Sequence, residues 1–162
     1  MGEASNAIHV ALIEPEIHWN TGNAGRTCLA AGAMLHLVEP LGFSLEERQV
    51  KRAGLDYWDY VEPQVWPNWE AFERALPTLG VPYFFSAKAK RLLWDVSFRE
   101  SSDVVLIFGG ETAGLPFDLF ERYGDRFVGL PILSPHVRSL NLSTAAGIAL
   151  YEVIRQRRSS GT

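Results

Sequence analysis

The apolar positions fall into short unbroken runs separated by segments rich in helix formers. Ile8-His-Val-Ala-Leu-Ile13 has the length and character of a buried strand, and Glu14-Pro15 ends it. Met34–Val38 reads as a second strand stopped by Pro40. Tyr83–Ser86, Asp103-Val-Val-Leu-Ile-Phe108 and Arg126–Leu130 read as three more. The run ending at Phe108 is the clearest, and its continuous apolar character predicts burial on both faces, as in a parallel sheet. Ala24–Ala31, closed by Gly32, predicts a helix. Ser44-Leu-Glu-Glu47 is a capping box opening a helix to about Ala53. Asn68 is placed to cap Trp69–Leu76, which Pro77 should end. Pro116 suits the first turn of a helix to about Tyr123, and a last helix spans about Asn141 to Arg157. Strands alternating with helices predict an α/β fold, its sheet mostly parallel and covered on both faces. No repeat, low-complexity tract or linker interrupts the pattern. One domain over residues 1–162 is expected, with an ordered core of about 8–158.

Composition changes this picture little. The chain has 162 residues, 47% hydrophobic and 21% charged. A domain of that size buries roughly 70% of its unfolded surface, so it needs no disulfide or structural metal to fold. The single Cys28 excludes an intrachain disulfide, and no His/Cys/Asp/Glu set has metal-ligand spacing, so no metal is expected. No basic-then-apolar leader precedes the first strand, and no apolar run approaches the roughly 20 residues of a membrane span. A cytoplasmic protein without a membrane segment is expected. The net charge of −4 argues against a uniformly basic nucleic-acid-binding surface. Local patches at Lys51-Arg52, Lys88/Lys90/Arg91 and Arg155/Arg157/Arg158 remain open, and each reads equally as solvated surface.

Three segments that follow strands carry candidate chemistry. In open α/β sheets ligands collect at the carboxyl ends of strands. Asn20-Thr-Gly-Asn-Ala-Gly-Arg26 sets two amides, two glycines and an arginine where a helix begins. Glycines let a backbone approach a ligand, and helix N-terminal amides favour an anion. A turn with a cap and a surface arginine explains the same residues. Phe108-Gly-Gly-Glu-Thr-Ala-Gly-Leu-Pro116 runs from a buried strand into glycines that can wrap a flat ring or a nucleoside, although taken alone a glycine turn between strand and helix is the commoner explanation. It matches neither a P-loop nor the dinucleotide fingerprint. In Leu130–Ser143, polar Ser139, Asn141 and Ser143 exceed what one helix cap requires. The small-residue run Ala145–Ala149 then predicts close approach to another backbone. Cys28 reads as buried filler, and His9 and His36 as ordinary strand residues. His18 and His136 stay as substrate-contact candidates. Trp58, Trp66 and Trp69 read as packing before base stacking.

Four stretches carry a resemblance spanning about Ile8 to Arg157. They are Glu14-Pro-Glu-Ile17 with Asn20–Arg26, then Arg52-Ala-Gly-Leu-Asp-Tyr57, then Gly110–Pro116, then Ser139-Leu-Asn-Leu-Ser143. In this order they resemble the motifs of the SPOUT superfamily of methyltransferases. The chain is most similar to its small branch that methylates the ribose 2′-hydroxyl of the tRNA wobble nucleotide, a cytidine or modified uridine. The resemblance implies an α/β fold with a C-terminal trefoil knot, a homodimer, S-adenosylmethionine as cofactor, and tRNA, at its anticodon loop, as partner. It implies cofactor contacts at Ser86, Gly109, Leu130, Ile132, Ser139 and Leu140. It implies catalytic roles for Arg26, Asn20, Ser139, Asn141 and Glu111, with Glu111 and Asn141 orienting or structural. Arg138, Asn23, Lys51 and Arg52 are implied on the RNA, and Ser143 is expected to cap the last helix. A guanidinium stays protonated below about pH 12, so Arg26 is expected to hold a phosphate and stabilise the developing alkoxide rather than take a proton. His18-Trp19 and Gly110 depart from prolines common in relatives. A relative acting on another tRNA or rRNA site and a non-catalytic cofactor-binding RNA adaptor are the competing readings.

Overall fold

Six strands form one sheet whose neighbours are all parallel: β1 (Ile8–Ile13), β2 (Met34–Val38), β3 (Gln64–Trp66), β4 (Val81–Phe85), β5 (Val104–Gly109) and β6 (Phe127–Val128). Their order is β3-β2-β1-β5-β4-β6. The computed structural model describes residues 6–45, 57–99, 102–116 and 118–160, with side chains to residue 158. Every residue of β1 is buried, and its successive side chains enter different cores. Val10 and Leu12 join Leu35, Leu37, Leu106 and Phe108 on one face, while Ala11 and Ile13 join Val38, Val105 and Ile107 on the other. This alternation across a sheet buried on both faces is what continuous apolar runs predict. Helices α1 (His18–Ala31) and α5 (Leu142–Ser160) cover the first face through Ala24, Cys28, Ala146, Ala149, Leu150 and Val153. Between them in the chain come α2 (Trp58–Val61), α3 (Trp69–Leu79) and α4 (Asp118–Arg122). Helices α3 and α4 cover the second face through Phe72, Leu76 and Leu119.

The structure corrects several expected boundaries. Helix α1 begins at His18, six residues before Ala24, so the Asn20–Arg26 motif is helical rather than a loop. Its glycines are costly in a helix, but tertiary packing outweighs propensity here. A Cβ at Gly25 would lie 2.7 Å from the Trp58 ring. Helix α3 continues past Pro77 to Leu79, with the amide of Gly80 bonded to the carbonyl of Leu76. Asn68 caps it as expected, its Oδ1 accepting from the amide of Ala71 at 2.8 Å. Strand β3 and helix α2 are additions. Gln64-Val-Trp66 is a three-residue, largely exposed edge strand between prolines and has no apolar run to reveal it. The helix expected from Ser44 to about Ala53 falls mostly outside the described residues.

The Ala145–Ala149 run packs against α1 of this chain, at ordinary contact distance rather than backbone on backbone. Ala146 and Ala149 are buried in the core, and a Cβ at Gly147 would meet Thr27 of α1 at 3.8 Å. Cys28 is the expected buried filler, its thiol pushed up to about 12 by burial and therefore unreactive at neutral pH. Trp58 is buried, and Trp66 is half-buried, stacked on His36 and edge-on to Phe72. Among the described residues no helix is long and apolar enough to cross a membrane.

Candidate active site

In this strand order the chain runs outward from β1 on one side, then crosses to build the other half. The switch between β1 and β5 opens a crevice at their carboxyl ends. There β1 ends at Glu14, a non-glycine residue held in the left-handed region with φ 52°. Its amide donates to the carbonyl of Val38. This reversal starts the segment that leads into α1. Beside it β5 runs into Gly109-Gly110. A Cβ at Gly110 would lie 2.6 Å from the carbonyl oxygen of Glu14, and one at Gly109 would lie 2.2 Å from the carbonyl carbon of Gly114. Only glycine lets the 110–114 loop curl back this tightly. Its base is closed by the Gly114 amide on the Gly110 carbonyl at 3.0 Å, with Gly114 at φ 67°.

A cavity of about 520 Å³ lies over these ends, in the size range of small-molecule sites. Ser86 after β4, Gly109, Leu130 and Ile132 after β6, and Ser139 and Leu140 before α5 all line it. These are the six residues expected to hold the cofactor, drawn from segments spread over more than fifty positions. Asn20, Glu111 and Asn141 line it too. Phe85 and Phe108 stack beneath, 4.6 Å apart and 14° from parallel. The walls are apolar and the polar groups are amides, hydroxyls, one carboxylate and main chain. No Lys or Arg lies among the described lining residues. That donor set fits a flat, uncharged nucleoside or a cation, and it does not fit a polyphosphate. S-adenosylmethionine, an adenosine joined to a sulfonium, has these properties.

The rim is tied by side chains from two loops and from the first turn of α1. The Glu111 carboxylate accepts from the amides of Glu16 (2.8 Å) and Ile17 (2.7 Å) and from Asn20 Nδ2 (3.2 Å). It thereby takes up the amide of Ile17, the N-cap of α1, and the amide before it, where Ile17 itself makes no side-chain cap. Asn20 is buried, and its Oδ1 accepts from Asn141 Nδ2 at 3.0 Å. Asn141 in turn caps α5, its Oδ1 accepting from the amides of Ser143 (3.0 Å) and Thr144 (3.3 Å) and from the Ser143 hydroxyl (2.7 Å). The cap is therefore Asn141, not Ser143. Only Asn141 precedes the first helical residue, and its side chain reaches both amides.

Other expected residues lie elsewhere. Arg26 is exposed and does not line the cavity. It sits about 9 Å farther along α1 than Asn20, its guanidinium 5.5 Å from the centre of the Tyr57 ring. Asn23 is exposed one turn earlier, and Arg138 is exposed before Ser139. His18 packs edge-on against Trp19 and Phe43, and His136 bonds through its amide to Ser134. Lys51 and Arg52 fall outside the described residues. Two features escaped the sequence reading. Glu16 was noticed only as part of a motif, yet it bonds three donors on the 112–113 turn. His9 and His36 are buried partners, Nδ1 to Nε2 at 2.8 Å, and Trp66 Nε1 donates to His36 Nδ1 at 3.0 Å. A His interrupting the continuous apolar run of both β1 and β2 was the available signal, and it does not name the partner.

Comparisons with known proteins agree with this geometry. Residues 7–151 match the model of the SpoU rRNA Methylase family. The tRNA (cytidine(34)-2′-O)-methyltransferase of Methylovorus glucosotrophus is 44% identical over 153 residues, covering 94% of this chain and 97% of that protein. A solved structure described as giving insights into the 2-OH methylation of C/U34 on tRNA superposes with a TM-score of 0.87 at 42% identity, covering 95% of this chain and 98% of the other. The SpoU methyltransferase AviRb from Streptomyces viridochromogenes, solved in complex with AdoMet, superposes with a TM-score of 0.79 at 25% identity, covering 96% of this chain and 62% of that one.

Proposed function

The chain belongs to the SpoU rRNA methylase family, and from that premise we propose that it methylates the ribose 2′-hydroxyl of nucleotide 34 of tRNA, using S-adenosylmethionine. The observation that carries this is the convergence of Ser86, Gly109, Leu130, Ile132, Ser139 and Leu140 on one cavity with Asn20, Glu111 and Asn141 at its rim. When bound, S-adenosylmethionine supplies an electrophilic methyl group on a sulfonium, so no metal is required. The chain's task is to seat the adenosine, exclude water and hold the 2′-oxygen in line with the methyl carbon. Leu130, Ile132 and Leu140 supply apolar surface for a purine, and the main chain at Gly109 and Leu130 supplies polar edges. Ser139 holds the cofactor, while Glu111, Asn20 and Asn141 fix the rim.

Arg26 contributes a fixed positive charge. Its guanidinium binds the neighbouring phosphate and stabilises the developing alkoxide. Its distance from its own chain's cavity supports a homodimer in which it serves the partner's site. Exposed Trp19 and Leu29 on α1 and Tyr151 on α5 supply apolar surface for that contact. Arg138, Asn23, Lys51 and Arg52 engage the anticodon loop. A trefoil knot fits the path after β6: the amide of Gly129 donates to the Arg91 carbonyl at 2.8 Å, and its own carbonyl accepts from the amide of Leu93 at 2.9 Å. Activity in the cytoplasm follows from the substrate.

Incubation with labelled S-adenosylmethionine and unmodified tRNA, followed by mapping of the product nucleotide, tests the reading. Label at the ribose of nucleotide 34 is expected. The family description names rRNA, so ribosomal RNA belongs in the same assay, and label there alone would move the substrate. Cofactor binding without transfer to any RNA would favour a non-catalytic adaptor. Mixing Arg26→Ala with Ser139→Ala protomers tests the shared site. Activity in the mixture well above either variant is expected, and none would place Arg26 in its own chain's reaction or outside it.

A further inference from the structure

Two carboxylates are exchanged across the rim. Glu111 reaches from the loop after β5 to the amides of Glu16 and Ile17. Glu16 reaches back to that loop, accepting from the Thr112 amide (3.0 Å), the Thr112 hydroxyl (2.5 Å) and the Ala113 amide (3.2 Å). Residues 110–114 belong to no strand or helix beyond the bridge at their base. Gly110, Thr112 and Gly114 nevertheless line the cavity. We propose that Glu16 is a positioning residue for the cofactor site, its carboxylate latching the 110–114 loop in the shape that receives the nucleoside. This rests on the reading of the cavity as a cofactor site.

The main chain at Glu16 is itself held firmly enough to aim the side chain. The Gly42 amide donates to the Pro15 carbonyl at 2.9 Å, and a Cβ at Gly42 would lie 2.6 Å from the Glu16 carbonyl oxygen. On the loop side, two adjacent amides and a hydroxyl converge on one carboxylate, an arrangement that favours its charged form. Hydrogen bonds from Thr112 hold the Glu16 carboxyl below the usual carboxylate range. Without that acceptor, the adjacent amides of Thr112 and Ala113 lose their partner together, and among the described residues the loop keeps only the tie that Glu111 makes from its other side.

Calorimetric titration of the full chain with S-adenosylhomocysteine, beside thermal melts, provides the test. Glu16→Ala should weaken binding about tenfold, as loss of charge-assisted hydrogen bonds does. Glu16→Gln keeps an acceptor for the two amides and should recover most of that loss. Thr112→Val should weaken binding about threefold and Thr112→Ser restore it. The double variant Glu16→Ala/Thr112→Val should bind no more weakly than Glu16→Ala, because both remove one interaction. Equal affinity of wild type and Glu16→Ala, or fully additive losses, would overturn the latch. If Glu16→Ala does not fold, the Val/Ser pair at position 112 decides the matter, and equal affinities there overturn it. A wild-type chain that binds no S-adenosylhomocysteine would overturn the cofactor reading itself.

Discussion

Two polar clusters sit on opposite faces of the same sheet and have opposite fates. At the carboxyl ends of β1 and β5, Glu111, Asn20 and Asn141 line a cavity, Glu16 braces the loop beside it, and the carboxylates bind chiefly main-chain amides. Under α3, buried His36 and His9 and half-buried Trp66 form a hydrogen-bonded chain beside Phe72 and the apolar core. The indole can only donate, so His36 accepts at Nδ1 and carries its proton on Nε2, where it donates to His9 Nδ1. Both clusters satisfy their polar groups. The rim does so with charge, in contact with solvent and with main chain that a ligand can also use. The buried chain does so with neutral rings, for which burial penalises the charged form. A polar cluster therefore marks function here by what surrounds it, not by how well it is bonded.

The comparison breaks first at Gly109. Its Cβ would strike the main chain of Gly114 and Leu115, at 2.2 and 2.4 Å, and main chain cannot rotate aside. Gly109→Ala should push the 110–114 loop out of place and weaken S-adenosylhomocysteine binding roughly a hundredfold, about 3 kcal/mol of affinity. The melting temperature should fall far less than in a core variant. Calorimetry that finds unaltered affinity would show that the loop is not the cofactor wall.

His36→Leu should do the reverse. It leaves the His9 ring and the Trp66 indole without their partner in the core, a loss of about 2–4 kcal/mol by urea unfolding. Affinity of the folded variant for S-adenosylhomocysteine should stay within about twofold of wild type. A large loss of affinity would mean that the two clusters are coupled through the sheet.

This contrast also explains what was legible in the chain beforehand. β1, β2 and β5 are buried throughout or nearly so, and their apolar runs announce them. The start of α1 was hidden because its cap is Glu111, more than ninety residues away. Local signals can describe only local bonds. The six expected cofactor contacts came from resemblance rather than spacing, and they meet in one cavity because β4, β5 and β6 end side by side. Glu16 and the histidine pair were missed for one reason. Each is defined by a partner on another strand or loop, and no pattern within a single segment reports that.

Acid should separate the clusters again. Burial pushes His36 down to about 4, with His9 beside it adding to the effect. Burial also lowers His9, and Asp103 opposes that shift. Folded values below the unfolded 6.5 mean that the unfolded chain takes up protons first as pH falls. The stability from the neutral pair is complete above about pH 6.5 and is lost as pH drops toward 4, by roughly 2–3 kcal/mol. Glu16 and Glu152 are carboxylates held below their usual range by hydrogen bonds from Thr112 and Arg155, so their contribution is lost only at more acid pH. Urea midpoints between pH 7.5 and 4.5 should fall more steeply for wild type than for His36→Gln, whose amide donates and accepts without titrating and leaves only His9 of the pair to take up a proton. Parallel curves would exclude the histidine pair as the source.

The finest distinction lies inside Asn141, which performs both kinds of work. Its Oδ1 caps α5 and its Nδ2 ties the helix to Asn20 at the cavity rim. Asn141→Ala removes both and should cost about 1 kcal/mol of stability. Asn141→Asp keeps the acceptor for the Ser143 and Thr144 amides, and its charge at the N-terminus of a 19-residue helix is favourable. It loses the donor and sets a carboxylate against Asn20 Oδ1. The Asp variant should therefore melt within about 2 °C of wild type, while methyl transfer falls at least tenfold in both variants. Full activity in Asn141→Asp would reduce the tie to Asn20 to packing. Undiminished stability in Asn141→Ala would mean that α5 is held by its buried face alone, with the residue kept for the cavity.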